Sequence, residues 1–340
     1  MQNTALSEPA SWRVLCLGHL IMKRNHTHFT RLIVLLLLIV TGCAPATTPR
    51  SPAAAPATTS AAAFPLTVVD DLGRTVTIES APERIVSLLP SNTEILFAAG
   101  AGEQVIGVTS FCNYPPEATT REQIGGITNQ TISIEAITAL EPDLIVASGA
   151  QTDAIQTLTE TGLVVIVLEP ATLVDIYANI ELVGRITAHS DQAAGLVADM
   201  QRRAEAVTTK VATVPEAERP TVFYEVWNEP LMTAGPNTFI GQLVTLAGGR
   251  LIFSDVEEDW PQVSAEVIIE RDPTVILGPD SNSEILTSEQ IAARPGWAQI
   301  AAVQGERIYL LNGDIVSRPG PRIIDALEAM ARDFYPELFE

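Results

Sequence analysis

Few residues in this chain could do covalent or metal chemistry. Its three cysteines are Cys16, Cys43 and Cys112, and its four histidines are His19, His26, His28 and His189. All but Cys112 and His189 fall in the first 43 residues, and these read as a leader. Lys23, Arg24 and Arg31 precede an unbroken apolar run at 32–40, too short to span a bilayer, that ends in Val40-Thr41-Gly42-Cys43. Small residues ahead of a cysteine fit the cleft of a signal peptidase, so the pattern predicts a lipobox. Met22 would start the signal peptide (22–43), and Cys43 would become an acylated N-terminus. The mature chain then holds Cys112 with no disulfide partner and His189 with no second histidine. Clustered-His, Cys/His zinc and zincin sites are excluded, a Ser-His-Asp triad would have to use His189, and no G-x-S-x-G is present. The expectation is an exported, lipid-anchored protein, periplasmic or at the cell surface, that is not an enzyme and carries no metal or cofactor.

The charge points the same way. The chain carries −21, and the first 42 residues contribute Arg13, Lys23, Arg24, Arg31 and Glu8, so their removal leaves −24. Such a balance argues against nucleic acid as a partner and suits a basic docking surface on another protein. Residues 44–65 are mostly Ala, Pro, Thr and Ser with one charge, Arg50, and read as a flexible tether. The roughly 275 residues beyond it are enough for two lobes.

The elements that must position any site follow from hydrophobic periodicity. Thr67 to Asp70 and Arg74 to Ile78 alternate around Asp71-Leu72-Gly73, a β-hairpin. Ile85 to Leu89 is a buried strand, and Ser91-Asn92-Thr93-Glu94 reads as a capping box opening a helix. Strands and helices then alternate, predicting α/β architecture with a parallel sheet. Residues 191–211 read as one long helix, and a second α/β series follows. The halves echo each other. Ser133-Ile134-Glu135 precedes Pro142-Asp143-Leu144-Ile145, and Ser264-Ala265-Glu266 precedes Pro273-Thr274-Val275-Ile276 at the same spacing. Pro90-Ser91-Asn92-Thr93 is echoed by Pro236-Asn237-Thr238. The expected fold is therefore two similar lobes with parallel-sheet cores, 66–189 and 215–340, joined by a long backbone helix at 190–214. A ligand cleft would lie between the lobes, and a rigid connector would permit little domain closure.

Several motifs carry a resemblance to a known family. Asp71-Leu72-Gly73-Arg74-Thr75-Val76-Thr77-Ile78 followed by Pro82-Glu83-Arg84-Ile85-Val86-Ser87-Leu88 resembles the opening of the helical-backbone (class III) solute-binding proteins of ABC importers. Leu89-Pro90-Ser91-Asn92-Thr93-Glu94, Tyr114-Pro115-Pro116-Glu117-Ala118, Trp260-Pro261-Gln262-Val263-Ser264 and Arg318-Pro319-Gly320-Pro321-Arg322 are most similar to its cobalamin-binding branch. The resemblance implies a monomer that captures cobalamin or a related corrinoid and delivers it to an ABC permease with its ATPase subunits. It implies ligand contacts at Phe111, Trp260, Asp314 and Arg318, with Trp227 a further candidate near the cleft. Phe111 replaces a usual tyrosine, and Ile127 stands where some cobalamin binders carry a tryptophan. It also implies permease docking through one glutamate at each lobe's tip, at Glu135 and Glu266, the pair that the internal echo singles out. A first-turn glutamate equally complements a helix dipole, which is the plainer role for both.

Two other ligands of the same fold stay open. Anionic ferric siderophores call for several converging arginines, of which Arg318 is the strong candidate. Haem calls for a His or Tyr ligand, for which Tyr114, Tyr224 and the more remote His189 are available.

Overall fold

The computed structural model describes residues 63–281 and 286–339. The leader with Cys43, and the tether as far as residue 62, lie outside the described residues. A hairpin pairs β1 (Leu66–Val69) with β2 (Thr75–Ile78), antiparallel with Leu66 opposite Ile78. Its turn is built on Asp70, whose carboxylate accepts from the Leu72 and Arg74 N–H groups and pairs with the Arg74 guanidinium at 2.6 Å.

The first lobe continues with β3 (Ile85–Ser87), α1 (Pro90–Ala98), β4 (Val105–Val108), β5 (Glu122–Gln123), α2 (Ile134–Ala139), β6 (Leu144–Ala147), α3 (Thr152–Glu160), β7 (Val165–Val167) and α4 (Leu173–Ile186). Its sheet is wholly parallel in the order β5-β4-β3-β6-β7. Asp70 Oδ2 also accepts from Val167 N–H at 3.1 Å, which staples the hairpin to this sheet's edge. The 22-residue helix α5 (Ser190–Val211) leads out of the lobe. Then come β8 (Thr221–Asn228), β9 (Leu231–Thr233), α6 (Phe239–Leu246), β10 (Arg250–Leu251), α7 (Ala265–Arg271), β11 (Val275–Pro279), α8 (Ser288–Ala292), α9 (Ala301–Gln304), β12 (Ile308–Leu311), α10 (Gly313–Val316) and α11 (Ile323–Phe334). The second sheet runs β10-β8-β11-β12 in parallel, with β9 added antiparallel to β8. The architecture is two α/β lobes with parallel-sheet cores and one long helix between them.

Alternation along the strands divides the apolar residues between two faces. On β6, Leu144 and Val146 enter a central core, while Ile145 and Ala147 enter an outer one with Ile137 and Leu158. On β8, Val222 and Tyr224 are central and Phe223 is outer, packed edge-on to Trp297. The central core is continuous through both lobes, taking residues from α1, α4, α5, α6 and α11. Gly184 lets α4 approach α5 closely, since a Cβ there would stand 2.3 Å from the Ala193 methyl. At its other end α5 is tied to α11 by Arg203, which donates to Glu328 at 2.9 Å and to Asp325 at 2.5 Å.

One local expectation is corrected. Ser91 and Glu94 form no capping box. The helix begins at Pro90, with Leu89 as N-cap and no side-chain cap, and Ser91 to Glu94 are all buried. Proline at the first helical position has its φ already set and no N–H to satisfy. The Glu94 carboxylate is taken instead by two arginines of the other lobe. Ser133 and Ser264 do cap α2 and α7, accepting from Ala136 and Val267 N–H.

Candidate functional site

The lobes meet along a seam of ion pairs. Glu94, 2% exposed at its side chain on α1, receives Arg322 at two points, Nε to Oε2 at 2.8 Å and Nη2 to Oε1 at 2.6 Å. Arg318 Nη1 reaches the same carboxylate at 3.1 Å. A buried carboxylate is tolerable only when charge and hydrogen bonds both compensate it, and here two cations do so. The Glu94 hydrogen bonds hold the Arg322 guanidinium above its ordinary range, against an opposing effect of burial. Arg318 also donates to Asn113 Oδ1 at 2.7 Å, to Asp314 Oδ1 at 2.5 Å and to the Phe111 carbonyl at 3.4 Å. Asn113 Nδ2 closes the ring on Asp314 Oδ2 at 2.7 Å, and the Arg322 guanidinium lies 4.1 Å over the Tyr114 ring.

Beside this seam lies a cavity of about 280 Å³ with a wall from each lobe. Leu89 and Ser91 of the first lobe and Pro319 of the second are part of its lining. The first lobe gives Ser148, just past β6, and Leu168 to Pro170, just past β7. These are the carboxyl ends of parallel strands, where backbone groups and side chains are free to face a ligand. The second lobe gives Asn237, Phe239, Asp259 and Trp260. The loop bearing Trp260 is clamped to its neighbour. Thr233 N–H donates to the Pro261 carbonyl at 3.1 Å, and Gly235 N–H to that of Asp259 at 2.8 Å. Only glycine fits at 235, because a Cβ would stand 2.2 Å from the Glu258 carbonyl oxygen. Trp260 packs edge-on to Phe239 at 6.2 Å and stays 41% exposed. Among the described residues lining the cavity there is no Lys, Arg or His. Its polar groups are hydroxyls, an amide and the carboxylates of Glu169 and Asp259.

The expected ligand residues are placed unevenly. Trp260 lines the cavity. Asp314 and Arg318 lie in the seam next to it, engaged with the opposite lobe, and Phe111 contributes its carbonyl there while its side chain is largely exposed. Trp227 is partly exposed at the end of β8, its Nε1 donating to the Glu229 carbonyl at 2.9 Å, and it does not line the cavity. The sequence reading missed Ser148, Glu169, Phe239 and Asp259, and in the seam Asn113, Arg322 and the true role of Glu94. Of the three residues weighed for haem, Tyr224 is buried in the central core with its phenol pushed up by that burial. His189 precedes α5 with its Nδ1 3.3 Å from Thr187 Oγ1 and is not in the cavity, and Tyr114 lies under Arg322. Glu135 and Glu266 are both exposed in the first turns of α2 and α7. The Glu266 carboxyl is held below the usual range by its backbone N–H and then by the Ser264 hydroxyl.

The chain is 32% identical over 283 residues to the uncharacterized ABC transporter substrate-binding lipoprotein YvrC of Bacillus subtilis, covering 82% of this chain and 88% of that one. The crystal structure of the periplasmic vitamin B12 binding protein BtuF of Vibrio cholerae is similar with a TM-score of 0.64 at 30% identity, over 75% of this chain and 98% of that one. A structure from Staphylococcus epidermidis, described as a possible iron-binding periplasmic solute-binding protein, is similar at 0.66 and 30%, over 75% and 100%. The sequence profile of the periplasmic binding proteins matches residues 85–315, and the chain belongs to that family.

Proposed function

We propose that this protein is the capture component of an ABC importer and takes cobalamin or a related corrinoid into the cleft between its lobes. The observation that carries the reading is the lining of the cavity: aromatic faces, hydroxyls and two carboxylates, with no basic side chain among the described lining residues. A flat, near-neutral ligand fringed with amides suits such walls, because aromatic rings cover its faces and carboxylates accept its N–H groups. An anionic siderophore or the propionates of haem would meet like charge there, and the two nearby arginines are already engaged by Glu94 and Asp314. The likeness to BtuF supports the corrinoid.

In this reading the lobes divide at 66–189 and 215–340. Trp260 offers an aromatic face from the cavity wall, Phe111 and Trp227 meet the ligand where it extends beyond the cavity, and Asp314 and Arg318 form the polar rim. Glu135 and Glu266 dock a permease that works with its ATPase subunits. Export and acylation of Cys43 hold the monomer at the membrane, and no reaction is catalysed. Titration of the full-length lipoprotein in detergent with cyanocobalamin, an anionic ferric siderophore and haemin, followed by tryptophan fluorescence, tests it. Saturable quenching by cyanocobalamin is expected. Saturation by an iron ligand with none by cyanocobalamin would replace the corrinoid with iron acquisition.

A further inference from the structure

One carboxylate in the cleft is fixed through a single oxygen. Glu169 Oε2 accepts from Ser148 Oγ at 2.8 Å and from Gly149 N–H at 2.7 Å, and among the described residues no donor reaches Oε1. The backbone beneath is held as well. Glu169 N–H donates to Asp71 Oδ2 at 2.6 Å, and Asn179 Nδ2 donates to the same oxygen at 2.8 Å. The residue is thus an acceptor with a set position in the wall of a cavity that offers no compensating cation. Such a group rewards an N–H donor on a ligand and repels a carboxylate, and pre-organisation strengthens both effects.

We propose that Glu169 is a specificity-determining residue of the cleft, whose Oε1 accepts an N–H from a primary amide on the ligand's fringe and whose charge rejects a ligand carrying a carboxylate in that amide's place. The inference rests on the corrinoid reading and adds a discrimination that shape cannot make, because an amide and a carboxylate are nearly isosteric. The cleft would separate the fully amidated corrinoid from its partly hydrolysed forms.

The test compares cyanocobalamin with its purified monocarboxylic acids at pH 7, using the full-length lipoprotein and its E169Q and D259N variants. Glutamine can still accept from Ser148 and Gly149, so E169Q keeps the wall, and its thermal melting checks this. The wild type should prefer cyanocobalamin over at least one monoacid by about tenfold or more. E169Q should reduce that ratio to within about threefold, chiefly by binding the monoacid more tightly, since the variant's amide can donate to it. A ratio unchanged in E169Q, or relaxed only in D259N, overturns the assignment while leaving the corrinoid reading intact. A wild type that binds cyanocobalamin and its monoacids equally also overturns it. A wild type that binds no corrinoid overturns both.

Discussion

Glu94 and Arg322 meet across the seam between the lobes, 228 residues apart in sequence, through two hydrogen bonds of 2.8 and 2.6 Å. The carboxylate is almost wholly buried, and its second cation, Arg318, carries the contact on to Asp314 and Asn113. Ser91 and Pro319, close in sequence to the members of this cluster, line the cavity.

Removing the Glu94 charge should therefore destabilise the whole fold. Glu94→Gln leaves two largely buried guanidinium groups short of a counter-charge, and the expected loss is about 2–4 kcal/mol, lessened by Asp314 remaining on Arg318. Urea denaturation measures it. A loss under about 0.5 kcal/mol, the ordinary range for an exposed surface site, would mean that solvent already screens the cluster.

Trp260→Ala should weaken corrinoid binding at least about tenfold, as loss of a large aromatic anchor typically does. Stability should change little, since the residue is 41% exposed and, among the described residues, Phe239 is its one aromatic neighbour. Fluorescence titration and melting on the same sample separate the two effects, and unchanged affinity would make Trp260 a packing residue.

Glu135→Lys and Glu266→Lys should leave ligand affinity intact while each cuts uptake in cells at least about tenfold, with the double reversal near zero. Both side chains are exposed, so melting should shift only slightly. Normal transport by the double variant would sink the docking role. Loss of ligand binding in step with melting would leave only the helix-dipole role.

Cys43→Ser should move the protein from membrane to soluble fractions, because the Ala/Pro/Thr tether offers no second anchor. Mass spectrometry of the membrane-bound wild type should find Cys43 acylated, and an unmodified Cys43 there would contradict the prediction.

What the sequence made legible was local. The Asp71-Leu72-Gly73 turn and the run at 191–211 each carry their signal within a few residues, and each appears in the structure. Trp260 is singled out through the Trp260-Pro261-Gln262-Val263-Ser264 motif that carries the family resemblance. Strands of two or three residues, such as β5, β9 and β10, have no period to read. The capping box was misread because its local pattern is sound while the competing partners, Arg318 and Arg322, lie 224 and 228 residues away. Glu169 escaped for a similar reason, since its partner Ser148 sits at the end of a different strand.

The continuous central core has a kinetic consequence. With α4, α5, α6 and α11 packed into one apolar mass, and Arg203 tying α5 to α11, swinging one lobe against the other would have to break this packing. A receptor that keeps to one form leaves no fraction of itself unavailable to ligand. In stopped-flow mixing the encounter should appear as a single exponential whose rate rises linearly with ligand concentration, without the plateau that a slow closing step would impose. In the proposed import role, unloading would then come from the partner, through a force that strains the seam at Glu94.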